Sequence, residues 1–288
     1  MSAFQTSFRF NEVVVIDALS PDEYPQTAVW LRDHILKPLT DESSLHLTYR
    51  PVADRSALFS VLAEVQRATR DFGHYPILHF EAHGTEAGLV VAGRDVVAWS
   101  ELKPALVEIN RASRMNLLAV MSMCHGWHLI KELQPIEAAP VWAWIGPVPE
   151  VPAARLQEAF QAFYPTLLRA LDGRRAFEEM NLSRRDTALE LKMETAELLF
   201  CRIWRGYERE HCSLEEQQAR EDRLVEHFVR KSGYDLRFAI QGRALVRELL
   251  ANTEKSFYHF HRIFMMLEDF PENSSRFGLT YEQCMGAA

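Results

Sequence analysis

Apolar positions fall into two regimes along the chain. Up to about residue 180, short apolar runs alternate with amphipathic stretches, the pattern of an α/β fold with a largely parallel sheet flanked by helices. Val13 to Ile16 predicts a first buried strand, and residues 23–38 a helix carrying Trp30, Leu31 and Ile35. Leu45 to Val52 predicts a second strand by its alternation. Asp54 can cap the next helix, whose apolar face is Leu58, Val61, Leu62 and Val65. Tyr75 to Glu81 predicts a third strand, running into Ala82-His83-Gly84. A hairpin follows, Leu89 to Val91 and Val96-Val97 about a turn at Ala92-Gly93. Ser100 can cap a helix through about Asn110. Met115 to Met121 predicts another buried strand, running into Ser122-Met123-Cys124-His125-Gly126. A short helix, a strand from Val141 to Ile145, a breaker run over Gly146 to Pro149 and a long helix through Phe160, Phe163 and Leu167 complete this part.

After about residue 182 the strand signals fade. Residues 187–210, 214–232 and 241–267 predict helices, rich in charge and striped with apolar residues, and Pro271 to Ala288 holds a second breaker cluster. The expected organisation is an α/β domain over 1–182 and an all-helical accessory region over 183–288.

Composition narrows the function classes. The chain of 288 residues is 48% hydrophobic and 25% charged, ample for a packed core. Its net charge of −8 argues against a general nucleic-acid binder, which needs a basic field. No apolar run reaches the ~18 residues needed to span a bilayer, so no membrane partner is expected. The N-terminal residues carry no signal-peptide pattern. The four cysteines at 124, 201, 212 and 284 are too sparse for a disulfide framework. The expectation is a cytoplasmic protein with free thiols.

In a parallel sheet, ligands meet the carboxyl ends of the strands. Two such ends carry chemistry: His83-Gly84 and Cys124-His125-Gly126. If their strands are neighbours, an imidazole faces a thiol, and a histidine that removes the thiol proton turns it into a nucleophile. Gly84 and Gly126 allow sharp turns, and the amides of Gly84 and Cys124 could hold a tetrahedral oxyanion.

Their order, their spacing of 41 residues and the hairpin-helix between them give a pattern that resembles the caspase-like (clan CD) cysteine peptidases, the bacterial and CHAT branches above all. The caspase signature reads Q-A-C-[RQG]-G with its histidine about 50 residues upstream. Here Ser122, Met123 and His125 depart from it. The likeness covers roughly residues 10–181, including a fifth-strand and specificity-loop region over 141–181. It implies a cysteine endopeptidase with His83 as base and Cys124 as nucleophile, needing no cofactor. It also implies a protein or peptide substrate, a regulatory protein partner met through residues 183–288, and a role as a regulated effector, including in antiviral defence. By the same resemblance, Asp17, Ser122, Trp144 and Glu150 line the substrate pocket, with Arg155 a nearby cation. Such carboxylates favour Arg or Lys before the cut. The contrasting reading is a non-catalytic module of the same fold that binds a partner through its helices.

Several residues have plainer readings. His79 shares a strand face with His83 and reads as a satisfied core histidine. Glu81 could orient His83 but reads first as a solvated or salt-bridged carboxylate. Trp142 and Trp144 read as packing around their strand. Cys124, His125 and His128 with His83 also suggest zinc. Adjacent Cys-His ligands are geometrically awkward, and no second CxxC-like pair supports them, so no metal is expected.

Overall fold

The computed structural model describes residues 8–182, 191–213, 253–286 and parts of 215–226. Much of the helix predicted over 214–232, and the helix over 241–267 up to residue 252, lie outside the described residues.

The apolar runs pair into a six-stranded sheet in the order β2-β1-β3-β7-β8-β9. Its strands are β1 (Glu12–Asp17), β2 (His46–Pro51), β3 (Pro76–Glu81), β7 (Leu118–Ser122), β8 (Ala143–Pro147) and β9 (Leu191–Thr195). Every pairing is parallel except β8 with β9. Residues of β1, β3, β7 and β8 are all buried, as expected of parallel strands covered on both faces. A small antiparallel sheet holds β4 (His83–Gly84), β5 (Gly88–Val91) and β6 (Asp95–Ala98).

The helices follow their apolar stripes. α1 (Thr27–Trp30), a π-turn segment (Leu31–Leu36) and α2 (Lys37–Asp41) form one run, which packs on α5 (Ala153–Ala170). α3 (Arg55–Phe72) packs on α4 (Trp99–Ala112), and α6 (Gly173–Leu182) packs on α5. Asp54 does cap α3, accepting from the Ala57 N–H at 2.7 Å. Ser100 does not cap α4. The helix begins at Trp99, and Glu101 reaches back to accept from the Ala98 N–H at 3.0 Å. A glutamate on the third helical residue thus satisfies the N–H of the residue before the helix, one half of a capping box.

The largest difference from expectation lies beyond residue 182. Residues 191–195, predicted helical, form β9 instead, pairing antiparallel to β8 from Ala143↔Thr195 to Pro147↔Leu191. The open edge of β8 needs a partner, and that demand overrides the weak helical pattern of LKMET. One compact unit therefore comprises residues 6–133 and 139–196.

The second unit comprises residues 1–5, 134–138 and 197–288. Its described core gathers Phe200 and Trp204 of α7 (Ala196–His211) with Phe257, His261 and Phe264 of α8 (Thr253–Phe264). Phe257 and the run from Phe264 to Leu267 are buried, whereas Tyr258 between them is exposed. Burial pushes Glu197 up to about 7 and His261 down to about 4. Cys201 and Cys284, the latter on α9 (Tyr281–Gly286), are buried and share a hydrogen bond. No helix among the described residues is long and apolar enough to cross a membrane.

Candidate active site

The sheet order settles the condition on which the thiol–imidazole reading depends: β3 and β7 are adjacent and parallel, with Glu81 opposite Ser122. His83 and Cys124 therefore each stand two residues past a matched pair of strand ends. The sheet also changes winding direction between β1 and β3, the place where loops diverge and leave a crevice. The loop after β1 lies on one side of that point and His83 on the other.

Gly84 brings the two loops together. A Cβ on this residue would collide with the carbonyl oxygen of Cys124 and come to 3.0 Å from Met123 Cγ. Only glycine allows that main-chain approach. Thus the two proposed oxyanion donors, Gly84 and Cys124, are in direct backbone contact. Gly126 is equally constrained, since its Cβ would meet Met121 Cβ at 2.6 Å.

Cys124 is a half-buried free thiol. Its Sγ accepts from the Val151 N–H at 3.3 Å and lies 3.6 Å from the Val151 carbonyl oxygen. His83 is 54% exposed, and its Nε2 pairs with Glu23 Oε1 at 2.7 Å. A carboxylate at that distance can hold the ring's proton on Nε2, which would leave Nδ1 as the nitrogen able to accept one. Among the described residues, no hydrogen bond joins His83 to Cys124.

Glu23 is the partner of His83 that the sequence reading missed. It lies in the loop after β1, a stretch assigned to helix 23–38, whereas α1 starts only at Thr27. Glu81, the carboxylate considered for orienting His83, is turned elsewhere. Its Oε1 pairs with His79 Nε2 at 2.9 Å and its Oε2 accepts from Thr27 Oγ1 at 2.6 Å. His79 is fully buried, with Nδ1 2.8 Å from the Tyr164 hydroxyl. It is a satisfied core histidine.

The expected pocket residues are dispersed in role. Asp17 is buried at the end of β1, where Oδ1 accepts from the Leu19 N–H at 3.1 Å and Oδ2 from the Tyr49 hydroxyl. Burial raises its pKa, against the lowering effect of the Tyr49 bond. These contacts make it a loop cap. Glu150 is 87% exposed, with His125 Nε2 at 4.0 Å. Trp144 is buried with its indole donating to the Gly126 carbonyl at 2.9 Å, so it holds the turn that follows Cys124. Ser122 is buried at the end of β7. An acid-floored pocket built on Asp17 and Glu150 is not what these contacts assemble.

His125 and His128 come together with a third residue, Glu86, whose side-chain donor atoms and theirs all lie within 4.8 Å of one another. His83 and Cys124, included in the zinc set considered from sequence, are not members of this group. Comparison with known proteins returns no matching family model and no matching curated protein.

Proposed function

We propose that the chain is a caspase-like cysteine endopeptidase acting through Cys124 and His83. The observation that carries this reading is the backbone contact of Gly84 with Cys124 at two neighbouring, in-register strand ends. It brings the His83 loop against the Cys124 loop at the carboxyl ends of the strands, where ligands of parallel sheets bind.

In the proposed mechanism, Nδ1 of His83 takes the Cys124 proton while Glu23 stabilises the imidazolium through Nε2. The thiolate attacks the scissile carbonyl carbon, and the amides of Gly84 and Cys124 hold the oxyanion. The imidazolium then protonates the leaving amine, giving a thioester. Water, deprotonated by the same ring, releases the acid and restores the thiol. The reaction draws on no cofactor. The substrate is a protein or peptide, cut by a regulated effector of the kind used in bacterial defence, with the helical unit as the contact for a regulatory partner. The test is labelling by a peptidyl acyloxymethyl ketone, followed by cleavage of a peptide library varied before the scissile bond. Stoichiometric labelling at Cys124 with turnover supports the reading, and neither in folded protein rejects it.

A second reading has an observation of its own. Sγ is engaged with Val151 and the His83 ring with Glu23, so the dyad is not joined in this arrangement. A non-catalytic interaction module would keep those contacts permanently. In that case Cys124 would stay unlabelled even when a binding partner is supplied.

A further inference from the structure

We propose that Glu86, His125 and His128 bind one divalent transition-metal ion of the Zn²⁺ class. A carboxylate and two imidazoles are three protein ligands of the type that zinc accepts, with a fourth position left for water. Their donor atoms already lie within 4.8 Å of one another. Ligands at the zinc-bond lengths of about 2.0–2.2 Å are separated by no more than twice that, so little movement closes the site.

Three further features point to a ligand. His125 Nδ1 is buried and has no hydrogen-bond partner, an orphaned acceptor or donor in a place where burial is costly. His125 holds this position with φ +54°, a left-handed conformation uncommon for a residue with a side chain. The second ring is held close by the His128 N–H bond to the His125 carbonyl at 2.9 Å, which leaves the ring centroids 5.2 Å apart. The main chain of Glu86 is held in place, while its side chain is exposed and the His128 ring also bonds to its backbone. The Glu86 carbonyl accepts from the Trp99 indole at 3.1 Å, and the Thr85 turn is pinned by the Thr85 N–H bond to the Gly88 carbonyl at 2.8 Å.

Two charges border the site. Glu150 Oε1, 4.0 Å from His125 Nε2, favours a cation there. Lys131 Nζ, 3.3 Å from His128 Nδ1, opposes one and must swing away on its flexible stem. Cys124 is outside the set, because its sulfur is turned to Val151. The ion joins the residue three past His83 to the residue one past Cys124. On the peptidase reading it clamps the two catalytic loops together; the binding itself does not depend on that reading.

The test uses the full chain, stripped with a chelator and titrated with ZnCl₂ by calorimetry, then with Co²⁺ for its spectrum. One ion per chain is expected, with a low-coordinate Co²⁺ d–d spectrum and no thiolate charge-transfer band. Glu86→Gln changes an exposed side chain and should fold normally. It should lose more than about 100-fold in affinity, beyond what removing an outer partner of a ligand costs. His128→Ala should lose at least as much, while Cys124→Ala and His83→Ala should bind as wild type. Absence of stoichiometric binding, unchanged affinity in Glu86→Gln, or loss of binding in Cys124→Ala or His83→Ala would each overturn the site. All these readouts are free of substrate, so they separate failure of the metal site from failure of the peptidase reading.

Discussion

The strand-end rim and the polar network behind it are made of the same parts. Each has a histidine from the β3 end of the sheet and a carboxylate from a neighbouring turn or strand. On the rim, His83 is half exposed and pairs with Glu23 alone, leaving one ring nitrogen unused. Behind it, His79 is buried and spends both nitrogens, on Tyr164 and Glu81, while Glu81 also takes the Thr27 hydroxyl. A fully satisfied imidazole has no capacity left for proton transfer, and a partly satisfied one does. On the peptidase reading, unused hydrogen-bonding capacity, more than the mere presence of histidine, distinguishes a site from a scaffold.

The largest effect that could break this comparison is at the dyad. Cys124→Ala and His83→Ala should each lower kcat/KM by at least ~10³-fold, the scale on which triad enzymes lose rate when one member is removed. Far-ultraviolet circular dichroism and the unfolding midpoint should stay near wild type, since neither side chain fills the core. His79→Ala should do the reverse, losing stability and retaining turnover once folded. An inactive but stably folded His79→Ala would place the base on the buried histidine and reverse the comparison.

Gly84→Ala comes next. The added methyl must displace the Cys124 main chain, because the colliding atom is a backbone oxygen that cannot rotate away. We expect kcat to fall by about 100-fold, the cost of roughly 1 Å misplacement of reacting groups. Gly93→Ala is the control, since nothing lies within 4 Å of a Cβ there and only its φ of +68° is strained. Equal activity in the two variants would show that the Gly84 approach does not position the nucleophile.

Much of this contrast is legible in the sequence, for physical reasons that stop at a definite point. Fully apolar runs such as Val13 to Ile16 and Met115 to Met121 announce buried parallel strands. The strand ends then follow as places for His83 and Cys124. Partners brought by loops are not legible: Glu23 reaches His83 across 60 residues of chain, and Glu86 meets His125 and His128 only through the β4–β5 turn. Nor does alternation or helical spacing say which way a side chain at a strand end turns. Asp17, expected by resemblance to face substrate, is engaged by the Leu19 amide and the Tyr49 hydroxyl, while Glu81 is salt-bridged to His79, the first of its two readings. β9 was hidden for a related reason, since an edge strand is specified by the neighbour it covers as much as by its own residues.

Glu23→Gln sharpens the comparison at smaller scale. The amide keeps the shape but loses the carboxylate charge beside His83, which on the peptidase reading holds the ring during proton transfer. A buried triad carboxylate changed in this way costs about 10⁴-fold. Here the pair is partly exposed and water can substitute, so we expect kcat to fall about 10- to 100-fold with KM little changed. Glu81→Gln should leave kcat within about twofold of wild type and instead lower stability, by about 1–3 kcal/mol. If Glu81→Gln reduces kcat as much as Glu23→Gln does, the inner network assists catalysis and the two regions are one machine.

The smallest effect belongs to Tyr164→Phe, and it tests the network without touching charge. Burial and the nearby Glu81 carboxylate raise the Tyr164 pKa well above the ordinary phenol value, so its hydroxyl keeps its proton and donates to His79 Nδ1. Removing that oxygen leaves Nδ1 buried without a donor, while the Nε2 bond to Glu81 and the ring packing of position 164 against Phe160 and Phe163 remain. The expected cost is one unsatisfied buried acceptor, about 1–3 kcal/mol in denaturant unfolding, with kcat and KM unchanged. A smaller loss of stability would show that the cavity admits water to replace the hydroxyl. A tenfold fall in kcat at full folding would show that the proton arrangement on His79 is felt at Cys124, and the rim could no longer be treated as separate from the scaffold beneath it.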